Sequence, residues 1–238
     1  NVLKDIRLKW HYGSIAHNVS GLCVVALSKN LKLTTTHSWA ITQNPCYVPF
    51  FIRNMKKYQI IYADPAWRFG NSVYQDNNRD NRHLHEQYQT MTIEQLKELP
   101  LADISADDCA LFLWTTDFHL PFCFDLFKEW GFKYRTIAFV WKKVTKNGKT
   151  CANLGAWTMK NTEICLLATK GNMFNKRQVK NIFQLVEAER TKHSKKPQEV
   201  RSRIEMLFGE LNRIELFARE RHEGWDAWGN EVVSDVVL

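Results

Sequence analysis

From Tyr58 to the C-terminus, short apolar runs alternate with stretches of helical periodicity, and this alternation limits the fold more than any other feature of the chain. The runs are Gln59–Ala63, Cys109–Thr115, Tyr134–Trp141, Glu163–Thr169 and Arg213–Arg219, each of a length suited to a buried strand. Between them, Thr92–Leu99 reads as a helix capped by Thr92. His119–Trp130 reads as an amphipathic helix with Leu120, Phe124 and Phe127 on one side, stopped by Gly131. A third helix starts near Pro197, presents Val200, Ile204, Leu207 and Phe208, and ends at Gly209. Asn147-Gly148, inside the basic turn Lys142–Lys149, is a hairpin signal. Residues 187–196 and the tail "GWDAWGNE" read as loops. Strands alternating with helices predict an α/β fold, a mostly parallel sheet covered on both faces. No apolar run approaches the length of a membrane span.

Residues 1–54 follow a different pattern. They hold six Lys and Arg against one acid, +5 of the net +8, and show no sustained periodicity, although residues 21–41 could supply one or two strands. Neither a secretory signal nor a mitochondrial presequence fits them. We expect 1–54 to be an N-terminal extension and 55–238 the functional domain, with Met55 placed where a compact form could begin. Six cysteines are scattered without a CxxC pair, as buried thiols in a reducing compartment would be. His83-Leu84-His85-Glu86 is the only crowded histidine cluster. It reads as a solvated loop, so no metal site is expected.

The first strand ends in "YADPAWRF". In a parallel sheet, ligands bind at the carboxyl ends of the strands, and Asp64 and the segment Arg219–Glu231 both fall there. No GxGxxG follows any strand, which argues against an ordinary dinucleotide site. The exocyclic amine of a nucleobase is a poor nucleophile, because its lone pair is delocalised into the ring. A site assists it by accepting hydrogen bonds from both N–H groups. The Asp64 carboxylate is one acceptor, and the Pro65 carbonyl, aimed by the proline turn, is a second. Trp67 offers a flat surface on which a base can stack, worth about 1–3 kcal/mol. The bland alternative is a turn followed by a core tryptophan.

"YADPAWRF" resembles the Asp-Pro-Pro-Trp motif of the N6-adenine methyltransferases related to the catalytic subunit of the eukaryotic messenger-RNA N6-adenosine methyltransferase. "LFLWTT", "LGAWTMKNTEICLLATKG", "HSKKPQEV", "IELFARE" and "GWDAWGNE" resemble further blocks of that family, in its order, across Tyr58 to about Val233. The likeness is nearest to the compact bacterial and phage type. The family's third motif residue is usually Pro; Ala66 stands here, which leaves both acceptors and loosens the turn. The resemblance implies a Rossmann-like fold with permuted motif order, S-adenosyl-L-methionine as methyl donor, and a cytoplasmic setting in a bacterium or phage-infected cell. It implies catalytic roles for Asp64, Pro65 and Trp67. Lys196 would approach the donor's carboxylate or the substrate loop. Glu215, Phe217 and Arg219 would line the donor's ribose and adenine, and Asn230 and Glu231 would bond the ribose hydroxyls. Glu215 is hard to explain blandly, since a buried carboxylate needs partners, which ribose hydroxyls would provide.

Three basic patches surround this pocket, and Arg68, Arg82, Lys142, Lys143, Lys192 and Lys195 are the candidates for phosphate contact. A duplex adenine would have to be flipped out, or the substrate be single-stranded. The expected activity is adenine-N6 methylation of DNA. The alternatives are RNA adenosine methylation and a non-catalytic nucleic-acid-binding partner subunit; the latter should have lost the Asp-Pro pair, which this chain keeps.

Overall fold

A computed structural model describes residues 56–68, 90–155, 157–191 and 195–238. The N-terminal extension, most of the polar stretch after Arg68 with Arg82 and the His83–Glu86 cluster, and Lys192 lie outside the described residues. Among the described residues no helix is long and apolar enough to cross a membrane.

The elements follow in the order β1 (Tyr58–Ala63), α1 (Ile93–Glu98), α2 (Leu101–Ile104), β2 (Ser105–Thr115), α3 (Leu120–Glu129), β3 (Lys133–Val144), β4 (Thr162–Lys170), β5 (Leu185–Glu189), α4 (Gln198–Phe208), β6 (Arg213–Leu216) and β7 (Asp226–Trp228). The strands form one sheet in the order β5-β3-β4-β2-β1-β6-β7. Among the described residues all pairs are parallel except those of β4, which runs against both β2 and β3. An antiparallel pair needs no crossover helix, and β3 and β4 are joined by turns. In the first of these turns Gly148 takes φ 72° and its N–H bonds the Thr145 carbonyl.

Period-two alternation sends side chains to two cores. Ile61, Ala63, Leu111, Leu113, Ile214 and Leu216 pack with Leu96 of α1 and Cys123, Leu126 and Phe127 of α3. Ile60, Tyr62, Phe112 and Trp114 pack with Val200, Ile204 and Phe208 of α4. Helices therefore cover both faces, as the alternation predicts.

Four expectations are corrected. Residues 185–189 form the edge strand β5, and "GWDAWGNE" contains the strand β7; both are short and exist by pairing with a longer neighbour. The last long apolar run stops as a strand at Leu216, because Phe217 adopts φ 62° and turns the chain. In α3 the buried stripe runs through Cys123, Leu126 and Phe127, while Phe124 is exposed on its flank, edge-on to Tyr134.

Candidate active site

The sheet order places the site. After β1 the chain moves to β2 on one side, and after β6 it moves to β7 on the other, so the carboxyl ends of adjacent β1 and β6 form a topological switch point. Ala63 pairs with Leu216, and the next residues along each strand are Asp64 and Phe217.

The corner after β1 is tightly tied. Trp67 N–H bonds the Pro65 carbonyl at 2.8 Å, closing a three-residue turn about Ala66. Met91 N–H bonds the Ala66 carbonyl at 2.9 Å, and Arg68 N–H bonds the Met91 carbonyl at 3.1 Å. Both ends of the connection between Arg68 and Met91 are thus anchored at the corner. Trp67 faces inward: it is 7% exposed, its indole N–H reaches the Trp114 carbonyl at 3.2 Å, and its ring stacks on His119 at 4.9 Å. Its N–H and one ring face are thus engaged within the core. His119, itself buried, fastens the assembly. Its Nε2–H donates to the Arg68 carbonyl at 3.2 Å, and its Nδ1 lies 2.9 Å from the Thr116 hydroxyl. Burial lowers its pKa, against the Arg68 bond, which keeps the ring neutral at physiological pH.

Asp64 leads a chain of alternating charge. Lys196, set by Pro197 just ahead of α4, donates from Nζ to Asp64 Oδ2 at 2.7 Å and lies 3.2 Å from Glu163 Oε2 at the start of β4. Glu163 in turn receives Lys143 from the end of β3. The Lys196 side chain is 10% exposed. Burial opposes its charge, but the two carboxylates outweigh this and raise its pKa. Burial likewise opposes ionisation of Glu163, yet Lys196 and Lys143 hold its pKa below the ordinary value. For Asp64, burial prevails over the pull of Lys196 and raises the pKa. A cleft of about 590 Å³ opens beside Lys196, walled by Ala188, Glu189, Thr191 and the residues around Pro197.

On the β6 side, Glu215 points toward α4 and meets Arg201, whose Nη1 is 3.2 and 3.3 Å from the two carboxylate oxygens. Burial pushes the Glu215 pKa up to about 7, against Arg201. The partner of this buried carboxylate is therefore a guanidinium from the same chain. Arg201 Nη2 is buried and without a hydrogen-bond partner. Phe217 sits edge-on to Trp228 at 5.2 Å. Ala218 N–H bonds the Trp228 carbonyl at 2.9 Å, and a Cβ at Gly229 would come within 2.2 Å of the Ala218 carbonyl oxygen, so only glycine permits this approach. Arg219 Nε lies 3.7 Å from Glu231 Oε1, and Asn230 is exposed beside them.

The structure thus brings Asp64, Pro65 and Lys196 together, and groups Glu215, Phe217, Arg219, Asn230 and Glu231 around the end of β6. The proposed phosphate contacts fare differently. Lys143 turns inward to Glu163, Lys142 pairs with Glu187 at 2.8 Å, and Lys195 pairs with Glu220. Arg68 is exposed at the mouth of the corner. Sequence reasoning missed Glu163, Arg201 and His119. Two of them carried a signal: a carboxylate opening an apolar strand, and an arginine beside the apolar stripe of a helix.

A mostly parallel sheet with one reversed strand next to β3, and a carboxylate–proline corner at its switch point, defines a Rossmann-like methyltransferase fold. The MT-A70 family profile matches residues 58–231, and the chain belongs to the MT-A70 family. It is 38% identical over 189 residues to the type II methyltransferase M.MunI of a Mycoplasma species, covering 74% of this chain and 78% of that protein. It is 28% identical over 184 residues to the human N(6)-adenosine-methyltransferase catalytic subunit METTL3, covering 74% of this chain and 28% of METTL3. Over 181 residues it is 26% identical to the MT-A70-like N(6)-adenosine-methyltransferase of Arabidopsis thaliana, of which it covers 23%. The chain therefore spans most of the Mycoplasma protein and only a minor part of the two eukaryotic ones.

Proposed function

We propose that this chain methylates the N6 amino group of adenine in DNA, with S-adenosyl-L-methionine as donor. The observation that carries the reading is the Asp64-Pro65 corner at the β1/β6 switch point of an MT-A70 chain. Asp64 Oδ2 is held by Lys196, which leaves Oδ1 for one N–H of the amine. The Pro65 carbonyl has a second lone pair beyond the one that takes Trp67 N–H, and it accepts the other. Two acceptors localise the nitrogen lone pair and aim it. The raised proton affinity of Asp64 suits it to hold the proton that the amine loses. Trp67 and His119 support the corner from within the core.

The β6 side fits the donor. Arg201 Nη2 is a buried donor with no partner, and a polar group of a ligand would satisfy it. Glu215, Phe217, Arg219, Asn230 and Glu231 would hold the ribose and adenine, and Lys196 borders both halves. Bound S-adenosyl-L-methionine supplies an electrophilic methyl group. Identity to a type II methyltransferase, higher than to the N(6)-adenosine enzymes, favours DNA over RNA. Arg68, Arg82, Lys192 and Lys195 are then the residues for the phosphate backbone, and the expected setting is the cytoplasm of a bacterium or phage-infected cell.

Labelled donor incubated with duplex DNA, single-stranded DNA and RNA tests the reading. Asp64→Ala should slow transfer by about 100-fold or more, the scale seen when a charge-stabilising contact is removed from an active site, with donor binding by calorimetry nearly unchanged. A fully active variant refutes the role of Asp64, and transfer to RNA alone refutes the DNA assignment.

A further inference from the structure

The turn between β3 and β4 exposes apolar side chains at the rim of the site. Lys143 and Glu163, both in the charge chain that ends on Asp64, stand at its base. Lys143 N–H bonds the Asn161 carbonyl and Cys151 N–H bonds the Lys143 carbonyl, each at 2.9 Å. Asn153 and Lys160 then exchange a pair of 2.8 Å backbone hydrogen bonds. Between those two residues, Leu154 is 88% exposed, Trp157 94% and Met159 56%. A Cβ at Gly155 would meet the Thr158 carbonyl oxygen at 2.4 Å, so glycine is what permits that approach. Lys160 bonds Asp117 at 2.7 Å and so ties the turn to the end of β2, where Phe118 is 47% exposed.

A fully exposed indole flanked by Leu and Met is a surface that water does not favour. The chemistry around it points to what covers it. Residues 142–162 contain five lysines and no acid. Lys142, Lys143 and Lys160 face Glu187, Glu163 and Asp117, while Lys146 and Lys149 are exposed on the adjoining turn. The polyelectrolyte that such a segment attracts is nucleic acid. The target amine must reach Asp64, whose side chain is only 28% exposed, so a paired base has to leave its stack to react. Apolar side chains pushed between base steps stabilise that state in other duplex-deforming proteins.

We propose that Trp157, with Leu154 and Met159, is a wedge that enters the duplex beside the target and holds the gap left by the displaced adenine. This rests on the DNA reading above. Trp157 touches neighbouring bases and takes no part in the transfer itself.

The test compares Trp157→Ala with the unaltered chain on native and heat-denatured genomic DNA of mixed sequence, using labelled donor. Transfer to native DNA should fall by about tenfold, the order of one lost base-stacking contact, and transfer to denatured DNA should stay within about twofold. Trp157→Phe should recover most of the loss. An equal loss on both substrates, or none on native DNA, overturns the wedge. So does a change in mass by sedimentation in Trp157→Ala, which would assign the patch to a second copy of the chain. A transfer-independent arm separates this proposal from the functional reading. By fluorescence anisotropy, Trp157→Ala should weaken binding to a fully paired duplex more than to a duplex with one unpaired adenine. If the unaltered chain methylates no DNA but shows this difference, the reaction assignment fails and the wedge stands; equal weakening overturns the wedge.

Discussion

Glu215 carries a pH dependence whose sign is fixed by its surroundings. Burial raises its pKa from 4.5 to about 7, and Arg201 only partly opposes the rise. A carboxyl with a raised native pKa binds its proton more tightly in the folded state. Its contribution to stability is therefore complete below pH 4.5 and is lost as the pH rises through 7. Glu215→Gln should remove that part of the slope, about 3 kcal/mol at most. Urea midpoints measured at a series of pH values for both chains will show it, and identical slopes would contradict the assignment. At the same scale, Asp64 and Pro65 were legible from the sequence because proline and a carboxylate at a strand end are local facts. The inward turn of Trp67 was not, because its direction depends on His119 and on the Trp114 carbonyl, both distant in sequence.

The helices were largely legible as elements. The hydroxyl of Thr92 accepts from Gln95 N–H, and the Gln95 side chain accepts from Thr92 N–H, a reciprocal cap readable in the spacing of the two residues. Helix α1 is short, and it presents fully buried Leu96, whose carbonyl accepts the Trp130 indole N–H at 3.1 Å. Thr92→Ala should destabilise the protein by about 1 kcal/mol, as loss of such a cap does, lowering the urea midpoint without changing the slope of the transition. Helix α4 shows the limit of periodicity. The pattern of Val200, Ile204 and Phe208 identifies its buried face, but the presence of Arg201 on that face makes sense only when β6 supplies Glu215. Strands β5 and β7 escaped notice for a related reason. "LVEAE" and "DAW" carry little strand signal of their own, and pairing with β3 and β6 supplies their structure.

For the molecule as a whole, the family match begins at residue 58, and we propose that the methyltransferase domain is 55–238. A chain starting at Met55 should unfold cooperatively, with Tm within about 4 °C of the full chain, the shift that roughly 1 kcal/mol produces in a domain of this size. It should also bind the donor with similar affinity by calorimetry. A truncated chain that fails to fold would make residues 1–54 part of the domain.

The sequence by itself determined the α/β class, the five long apolar runs, the three helices and the Asp-Pro corner, since propensity, period and turn chemistry act over a few residues. The strand order was decided by the tertiary structure, and with it the partners of Asp64. Lys196 stands 132 residues from Asp64, and Glu163 comes from the reversed strand β4. Local patterning states that a strand is buried but not which neighbour it pairs with, whereas a charge chain exists only when particular strand ends meet.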